Sequence, residues 1–270
     1  MKPNNFFFIV FLLFSQFIPN DGRDGLRNSY KENTDRKQAG SGEYPLRQPA
    51  DTTYIYLTID DGPSSASDYL SGLARTDSVP ITVFLIGNRI FQRSDWRDCF
   101  DLYQQNHFIE IGNHSFSHAG NRYRQYYSNA EQVVKDFHLN EDTLNLQAKS
   151  VRLPGRNTWR IDGKKRTDLK DDSAAANKLA GEGYRIFGWD LEWHCAADSS
   201  GSILSADSLL QQIESIVRSR RLFKPHNLVL LCHESMFESD KGRTQLELLL
   251  QLIKQKQSYR FRFLKNYPGL

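Results

Sequence analysis

The chain has 270 residues, of which 25% are charged, and its formal net charge is +3. This length suffices for one large domain or two small ones with a substantial core. The mixed charge lacks the strongly basic character of a nucleic-acid-binding protein, so no nucleic-acid partner is predicted. The three cysteines show no C-x-x-C spacing, which argues against a cysteine-rich zinc site.

The N-terminus has the features of an export signal. Lys2 precedes an uninterrupted apolar run at residues 6–14, which is too short to span a bilayer and suits the core of a signal peptide. Residues 1–18 are therefore predicted to be a signal peptide, or an N-terminal anchor if it is not cleaved. The protein is expected to be periplasmic, cell-surface or secreted, with no stable membrane span after processing. Residues 19–50 are polar and poor in apolar side chains, which predicts a flexible linker.

The predicted folded domain, residues 51–270, opens with a strand that ends in two acids. Residues 54–59 read Y-I-Y-L-T-I, a run typical of a buried strand. Asp60 and Asp61 follow directly, and the Gly-Pro pair after them ends the strand. Adjacent carboxylates at the end of a buried strand repel each other. Either a bound cation explains them, or they form a solvated turn, for which D-G-P is also suited.

Helices and strands alternate through the rest of the domain. The predicted helices cover residues 67–77, 96–105, 130–147, 173–181, 204–220 and 245–256. The predicted strands cover residues 54–59, 81–86, 108–111, 150–153, 184–189, 227–232 and 259–264. This alternation predicts an α/β fold with about seven parallel strands, either open or closed into a barrel.

The most conspicuous polar side chains lie at or just after the carboxyl ends of five predicted strands. They are Asp60, Asp61, His114, His118, Arg152, Asp190, Glu192 and His233. The carboxyl ends of parallel strands are where α/β folds place their active sites, at the rim of a barrel or in the crevice of an open sheet. The repetition across five strands therefore predicts one site at this edge.

The spacing of His114 and His118 suggests a metal site. Two histidines four positions apart are by themselves a weak signal. With one carboxylate from Asp60 or Asp61 they complete a two-histidine, one-carboxylate ligand set. This set suits Zn²⁺, with Co²⁺ or another divalent ion as an alternative, and it leaves coordination positions open for water and substrate.

Three other side chains have candidate roles beside such a metal. The second aspartate can accept a proton from a metal-activated water, and Arg152 can orient that aspartate. His233 is a candidate general acid. A histidine that follows an apolar strand is also often an ordinary core or rim residue, so both readings of His233 stay open.

Three motifs resemble those of NodB-type polysaccharide deacetylases, carbohydrate esterase family 4. They read T-I-D-D-G-P at residues 58–63, H-S-F-S-H at residues 114–118 and L-L-C-H at residues 230–233. The resemblance covers roughly residues 54–264 and implies a distorted (β/α) barrel, the NodB-homology domain. It also implies a role for each motif residue: Asp60 as base, Asp61, His114 and His118 as metal ligands, and His233 as acid.

The third family motif, R-x-P-[YF]-G, is only partly kept. Residues 152–156 read R-L-P-G-R, so Arg152 and the proline match. Gly155 replaces the aromatic residue, whose backbone N–H helps to bind the oxyanion in the family. The donor is kept, one wall of the substrate groove is lost, and Arg156 adds a charge.

The fourth family motif, a D-x-x-D-W-like stretch, is also altered. Its nearest match is W-D-L-E-W at residues 189–193. Asp190 or Glu192 is expected to pair with Arg152 and so orient Asp60. Trp193 is expected either to form an apolar wall of the site or to pack in the core.

The resemblance implies metal-dependent removal of N-acetyl or O-acetyl groups from an amino-sugar-containing glycan, such as peptidoglycan or a chitin-like polymer. The glycan is the only partner it implies, and no protein partner is predicted. Two alternatives stay open: hydrolysis of another non-peptide C–N bond in a small amide, and an inactive glycan-binding relative. Whether Cys195 and Cys232 pair also stays open.

Overall fold

The fold is built from strands and helices that alternate along the chain. A computed structural model describes residues 52–194 and 203–269. The strands are β1 (Thr53–Gly62), β2 (Ile81–Leu85), β3 (Ile109–Asn113), β4 (Ser150–Val151), β5 (Trp159–Ile161), β6 (Lys164–Arg166), β7 (Arg185–Ile186), β8 (Leu191–Glu192), β9 (Asn227–His233) and β10 (Tyr259–Phe261). The helices are α1 (Ser67–Asp77), α2 (Ser94–Gln104), α3 (Tyr123–Tyr127), α4 (Ala130–Leu144), α5 (Ser173–Gly181), α6 (Ala206–Arg218) and α7 (Asp240–Gln255). The predicted signal segment, the predicted linker and Cys195 lie outside the described residues.

β1 is the centre of the sheet. It pairs in parallel with β9 along one edge, and with β10 and then β2 along the other edge. Strands with neighbours on both edges and packing on both faces are apolar throughout, as the sequence of β1 indicates. Because side chains alternate between faces, Ile55, Leu57 and Ile59 pack in one hydrophobic cluster and Tyr56 packs in another.

The sheet is curled and mostly parallel, in the order β6-β5-β7-β4-β3-β2-β1-β9-β8, with β10 beside β1. The predicted α/β architecture with parallel strands is confirmed. All seven predicted strands are present. The exceptions to parallel pairing among the described strands are β5 with β6 and β5 with β7.

The sequence analysis missed the β5–β6 hairpin and the short strand β8. The hairpin turns at Asp162 and Gly163, which both have positive φ, 53° and 71°. An Asp-Gly pair between short strands is a known hairpin signal, since both central residues of such a turn need positive φ. The signal was therefore in the sequence. β8 has two residues and no pattern of its own.

Side-chain caps fix where three helices begin. The side chains of Asn129, Ser205 and Ser239 accept backbone N–H groups at the starts of α4, α6 and α7. The cap at Ser239 explains why α7 begins at Asp240, five positions before its predicted start. Its first turn is polar and gives no apolar periodicity.

Two hydrophobic clusters of the described core face opposite sides of β1, and a third lies among α3, α4, α5, β4 and β7. On one side, α1, α2, α6 and α7 cover a large cluster of Leu, Ile and Val side chains. On the other side the cluster is aromatic, with Trp159 stacked on Phe223 at a centroid distance of 4.2 Å. Among the described residues, no helix combines the length and apolar character that crossing a lipid bilayer requires.

Removing a core leucine should test this packing. Leu249 in α7 is 0% exposed, whereas Leu139 in α4 is 47% exposed. We expect Leu249→Ala to lower the free energy of unfolding by about 2–5 kcal/mol, because it removes buried contacts and leaves a cavity. Leu139→Ala is the matched control, with an expected change within about 0.5 kcal/mol. Urea denaturation followed by circular dichroism measures both, and equal losses would contradict this assignment of the core.

Candidate metal centre and active site

A bulge at the end of β1 brings two adjacent carboxylates to one site. In a regular strand Asp60 and Asp61 would point to opposite faces of the sheet. The register against β2 shifts between Asp60 and Gly62, and Asp61 has a φ of 67°. A bulge of this kind redirects a side chain. As a result, both carboxylates lie beside His114: Asp60 Oδ2 is 3.7 Å and Asp61 Oδ1 is 3.4 Å from its Nε2 atom.

The two predicted histidine ligands meet at Asp61. His114 follows β3, and His118 lies one short loop further along the chain, with its Nε2 atom 3.1 Å from Asp61 Oδ1. One ligand atom from each of Asp61, His114 and His118 lies within 4.8 Å of the others. Across residues 52–194 and 203–269, this is the group of His, Cys, Asp or Glu side chains with the spacing of a metal site.

The hydrogen bonds of the ligands leave lone pairs facing one another. His114 Nδ1 lies 2.8 Å from the carbonyl oxygen of Arg152. Because a carbonyl only accepts, Nδ1 carries a proton, and the ring, when neutral, turns the lone pair of Nε2 toward Asp61. Asp61 Oδ1 is buried and makes no hydrogen bond of ordinary geometry among the described residues. A buried carboxylate oxygen without a partner, facing two imidazole nitrogens, fits a divalent cation.

Electrostatics keep the ligand carboxylate ionised. Burial by itself raises the pKa of Asp61, but the adjacent imidazoles of His114 and His118 outweigh it and hold the pKa well below its usual range. Burial lowers the pKa of His114, but the carboxylates of Asp60 and Asp61 outweigh it and raise that pKa. Without a metal ion, the two carboxylates therefore favour a proton on His114, which a bound cation would displace.

The loop that carries His118 is held in an uncommon backbone conformation. Ser115, His118, Ala119 and Asn121 all have positive φ, between 48° and 63°. Such residues persist only where surrounding contacts hold them. Here Ser115 Oγ accepts the backbone N–H of His118 at 3.0 Å. This hydrogen bond helps to hold His118 beside Asp61.

Arg152 orients Asp60 from a fully buried position. Its Nη1 atom donates to Asp60 Oδ1 and to Thr58 Oγ1, both at 2.8 Å. Its Nε and Nη2 atoms donate to the carbonyl oxygens of Phe187 and Gly188, at 3.2 and 3.0 Å. Asp60 is thus fixed beside, and not in, the group of metal-ligand atoms. The contact between Arg152 and Asp60 agrees with the predicted orienting role of Arg152.

The predicted pairing of Asp190 or Glu192 with Arg152 is wrong. The carboxylate of Asp190 accepts the backbone N–H groups of Phe223 at 2.7 Å and Val229 at 3.0 Å. Glu192 instead lies 3.4 Å from His194 Nδ1. The physical reason is that backbone carbonyls already accept the N–H groups of Arg152 that an acid would need.

Trp193 packs in the core, which was one of its two predicted roles. Its side chain is 1% exposed, and its indole N–H donates to the carbonyl oxygen of Leu204 at 2.8 Å. Its ring lies edge-on to Phe237 at a centroid distance of 6.1 Å. The predicted role of Trp193 as a wall of the site is therefore wrong.

Gly155 and Arg156 differ in what they present to the site. Gly155 is exposed and has a φ of 62°. Arg156 is buried, and its guanidinium forms a two-bond pair with Asp171 at 2.9 and 2.6 Å. The charge that Arg156 adds to this segment is therefore balanced within the protein.

His233 ends β9 beside the aspartates. It is the direct register partner of Asp60 across the β1–β9 pair, and its side chain is half-buried. Cys232, the preceding residue, is a buried free thiol. Its suggested partner, Cys195, lies outside the described residues.

Sequence analysis missed two buried residues that support the site. Thr58 accepts from Arg152 and donates to the carbonyl oxygen of Leu230 at 2.7 Å. Its position two residues before Asp60, on the same face of β1, was the available signal. Glu234 follows His233, and its carboxylate accepts the hydroxyls of Ser67 and Tyr103. An acid after an apolar strand gives no sign of such burial.

Comparison with known proteins agrees with this geometry. Residues 47–159 match the family model for polysaccharide deacetylases. This segment of the chain is therefore similar to polysaccharide deacetylases. The resemblance inferred from the motifs is thereby confirmed, and the match includes the segments that carry both aspartates, both histidines and Arg152.

Solved structures of this family share the fold. A carbohydrate esterase family 4 esterase from Streptococcus mutans is 19% identical, with a TM-score of 0.61 over 79% of this chain and 86% of that chain. The catalytic domain of a peptidoglycan N-acetylglucosamine deacetylase from Eubacterium rectale is 20% identical, with a TM-score of 0.58 over 81% of this chain and 91% of that chain.

The fold also occurs in a protein without activity. A mutant of a carbohydrate esterase family 4 pseudoenzyme is 15% identical, with a TM-score of 0.54 over 80% of this chain and 67% of that chain. A search of curated protein sequences finds no match. An activity must therefore be argued from the site residues and not from the fold.

Removing one ligand should test the metal centre. We expect His118→Ala to weaken Zn²⁺ binding by more than about 100-fold, since even residues behind the ligands contribute 10- to 100-fold. His138→Ala is the matched control, because His138 is exposed and pairs with Glu182. Competition with a chromogenic chelator measures both affinities. Equal affinities in the two variants would exclude this centre.

The raised pKa of His114 predicts the pH dependence of metal binding. A raised pKa means that His114 of the ion-free protein holds its proton above the usual histidine value of about 6.5. A cation must displace that proton, so we expect Zn²⁺ affinity to fall as the pH is lowered from about 8 to about 6. Chelator competition at both pH values measures this, and a pH-independent affinity would contradict it.

Proposed function

We propose that the protein is an exported, metal-dependent glycan deacetylase that uses Zn²⁺. The observation that carries the proposal is the arrangement at the end of β1, where Asp61 meets His114 and His118 while Asp60 is held by Arg152. A protein that only binds a glycan would not need Asp60, a second buried carboxylate that is paired with Arg152. A hydrolase needs one, because a base must stand beside the activated water.

The side chains divide the proposed reaction among them. When bound, a divalent ion supplies Lewis-acid activation of water and of the acyl carbonyl. Asp60 accepts a proton from the attacking water, and Arg152 orients Asp60 through its hydrogen bond to Oδ1. The backbone N–H of Gly155 is the proposed donor to the oxyanion. His233 then donates a proton to the departing amine or alcohol.

The proposed substrate is an N-acetyl or O-acetyl group on an amino-sugar-containing glycan, such as peptidoglycan or a chitin-like polymer. The family match supports a polysaccharide, and the similar structure from Eubacterium rectale is described as a peptidoglycan N-acetylglucosamine deacetylase. The apolar run at residues 6–14 supports export, which would bring the protein to extracellular glycans.

Substitution of the base and of the acid should separate chemistry from metal binding. We expect Asp60→Asn and His233→Ala each to lower kcat for acetate release from N-acetylglucosamine oligomers by about 10²- to 10⁴-fold, because each removes a proton transfer. Zn²⁺ content should stay near that of the unmodified protein, since neither residue is a proposed ligand. His107→Ala, at an exposed position, is the control.

A substrate panel distinguishes the proposal from its alternatives. Acetate release from N-acetylglucosamine oligomers or from an O-acetylated polysaccharide supports a glycan deacetylase. Hydrolysis only of small amides would instead assign another C–N bond. Zinc-loaded protein that binds oligosaccharide but releases no product from any substrate would make the chain an inactive glycan-binding relative.

A further inference from the structure

Tyr123 lies at the rim of the metal centre, although no motif of the sequence identifies it. It is the first residue of α3, which follows the His118 loop. The rings of Tyr123 and His118 are nearly perpendicular, at 83°, with centroids 5.9 Å apart. Tyr123 is half-buried, so part of its ring is covered and part is accessible. The aromatic face next to this candidate ligand therefore comes from α3.

The ring of Tyr123 also occupies the space beside Gly155. A Cβ atom at position 155 would lie 3.0 Å from a ring carbon of Tyr123. That distance is too short for an unstrained contact, and the φ of 62° at Gly155 disfavours a side chain in any case. Because Gly155 has no side chain, the ring of Tyr123 can pack directly beside its backbone. The two residues lie together on one side of the site.

Arg156 holds the ring in place. Its guanidinium lies 5.6 Å from the centroid of Tyr123 and 4.7 Å from that of Tyr127. The pair with Asp171 fixes the guanidinium in turn. A cation over an aromatic face stabilises its orientation, so Tyr123 presents a preorganised surface.

The hydroxyl groups of the neighbouring tyrosines show what is different about Tyr123. Tyr126 donates to Asp136 Oδ2 at 2.9 Å, and Tyr127 donates to the carbonyl oxygen of Pro154 at 2.7 Å. The hydroxyl of Tyr123 makes no hydrogen bond within residues 52–194 and 203–269. Two of the three tyrosines in this segment thus have hydroxyl groups committed to the fold, and the third has a hydroxyl available to a ligand.

We propose that Tyr123 is a substrate-contacting residue, whose ring packs against the sugar that bears the acyl group and whose hydroxyl donates to an oxygen of that sugar. This proposal rests on the proposed function, because the sugar is its ligand. An amphipathic ring suits a sugar, which has apolar C–H faces and polar edges. A tyrosine hydroxyl keeps its proton at neutral pH and remains a donor.

The test uses the zinc-loaded full chain with Tyr123→Ala, Tyr123→Phe and, as matched control, Tyr126→Phe. We expect Tyr123→Ala to raise both the Kd for an N-acetylglucosamine oligomer and the KM about tenfold, which corresponds to about 1.4 kcal/mol. Tyr123→Phe keeps the ring and should give an increase of about threefold. Zn²⁺ affinity should stay within about twofold in each variant. The control should leave Kd unchanged. Calorimetry measures Kd independently of turnover.

The outcomes separate this proposal from the proposed function. If the unmodified protein binds and deacetylates the oligomer and Tyr123→Ala does so equally well, only the role of Tyr123 is wrong. A parallel loss of Zn²⁺ affinity would assign Tyr123 to support of His118, which also overturns the proposal. If the unmodified protein neither binds nor deacetylates the oligomer or an O-acetylated polysaccharide, the proposed function is wrong and the role of Tyr123 with it. Should Tyr123→Ala fail to fold, Tyr123→Leu and Tyr123→Phe decide the question by the same Kd measurement.

Discussion

The buried ion pair between Arg152 and Asp60 connects the proposed base to a candidate metal ligand. The side chain of Arg152 orients the proposed base, while its own carbonyl oxygen lies 2.8 Å from Nδ1 of the proposed ligand His114. One residue therefore fixes both a proton acceptor and a metal ligand. Removing charges from water costs several kcal/mol per ion, and only a complete set of partners offsets it. Arg152 has most of such a set, since two carbonyls and Thr58 accept three of its four other N–H groups.

The charges of the site are matched to the proposed chemistry. Asp60 and Asp61 carry two negative charges, and Arg152 carries one positive charge. A divalent cation at Asp61, His114 and His118 would leave the group with a net charge of about +1. A tetrahedral oxyanion formed by acyl transfer carries one negative charge, so the site is suited to a transition state more than to a neutral amide.

The sequence predicted the positions of the site residues better than their contacts. Asp60, Asp61, His114, Arg152 and His233 lie at or just after the ends of predicted strands, and parallel strands bring their carboxyl ends to one edge. Position along a strand does not determine which way a polar side chain turns. Asp190 was placed near the right edge, but backbone N–H groups hold its carboxylate elsewhere. Arg152 donates instead to the backbone carbonyls of Phe187 and Gly188. Every residue has a carbonyl, so no sequence motif identifies these acceptors.

Contacts between distant elements were likewise beyond the sequence. The approach of Tyr123 to Gly155 joins α3 to the segment after β4, and neither residue by itself indicates the other. The bulge at Asp61 explains why the side chains of two adjacent aspartates lie at one site. The alternation of side chains in a regular strand would place them on opposite faces of the sheet. By contrast, the Asp162–Gly163 turn was readable in the sequence, because its residue types are those that positive φ requires.

The pairing of β10 with the start of β1 has a consequence for the order of folding. Tyr259–Phe261 lies beside the first residues of the domain, and β9 fills the opposite edge of the same central strand. The strand that carries both aspartates therefore obtains its full set of neighbours only after the last tenth or so of the chain has been synthesised. Contacts this distant in sequence require closure of long loops and slow the folding of a chain. Complete pairing of the strand that carries both aspartates thus depends on the C-terminal end of the domain, although the three candidate metal ligands lie within the first 118 residues.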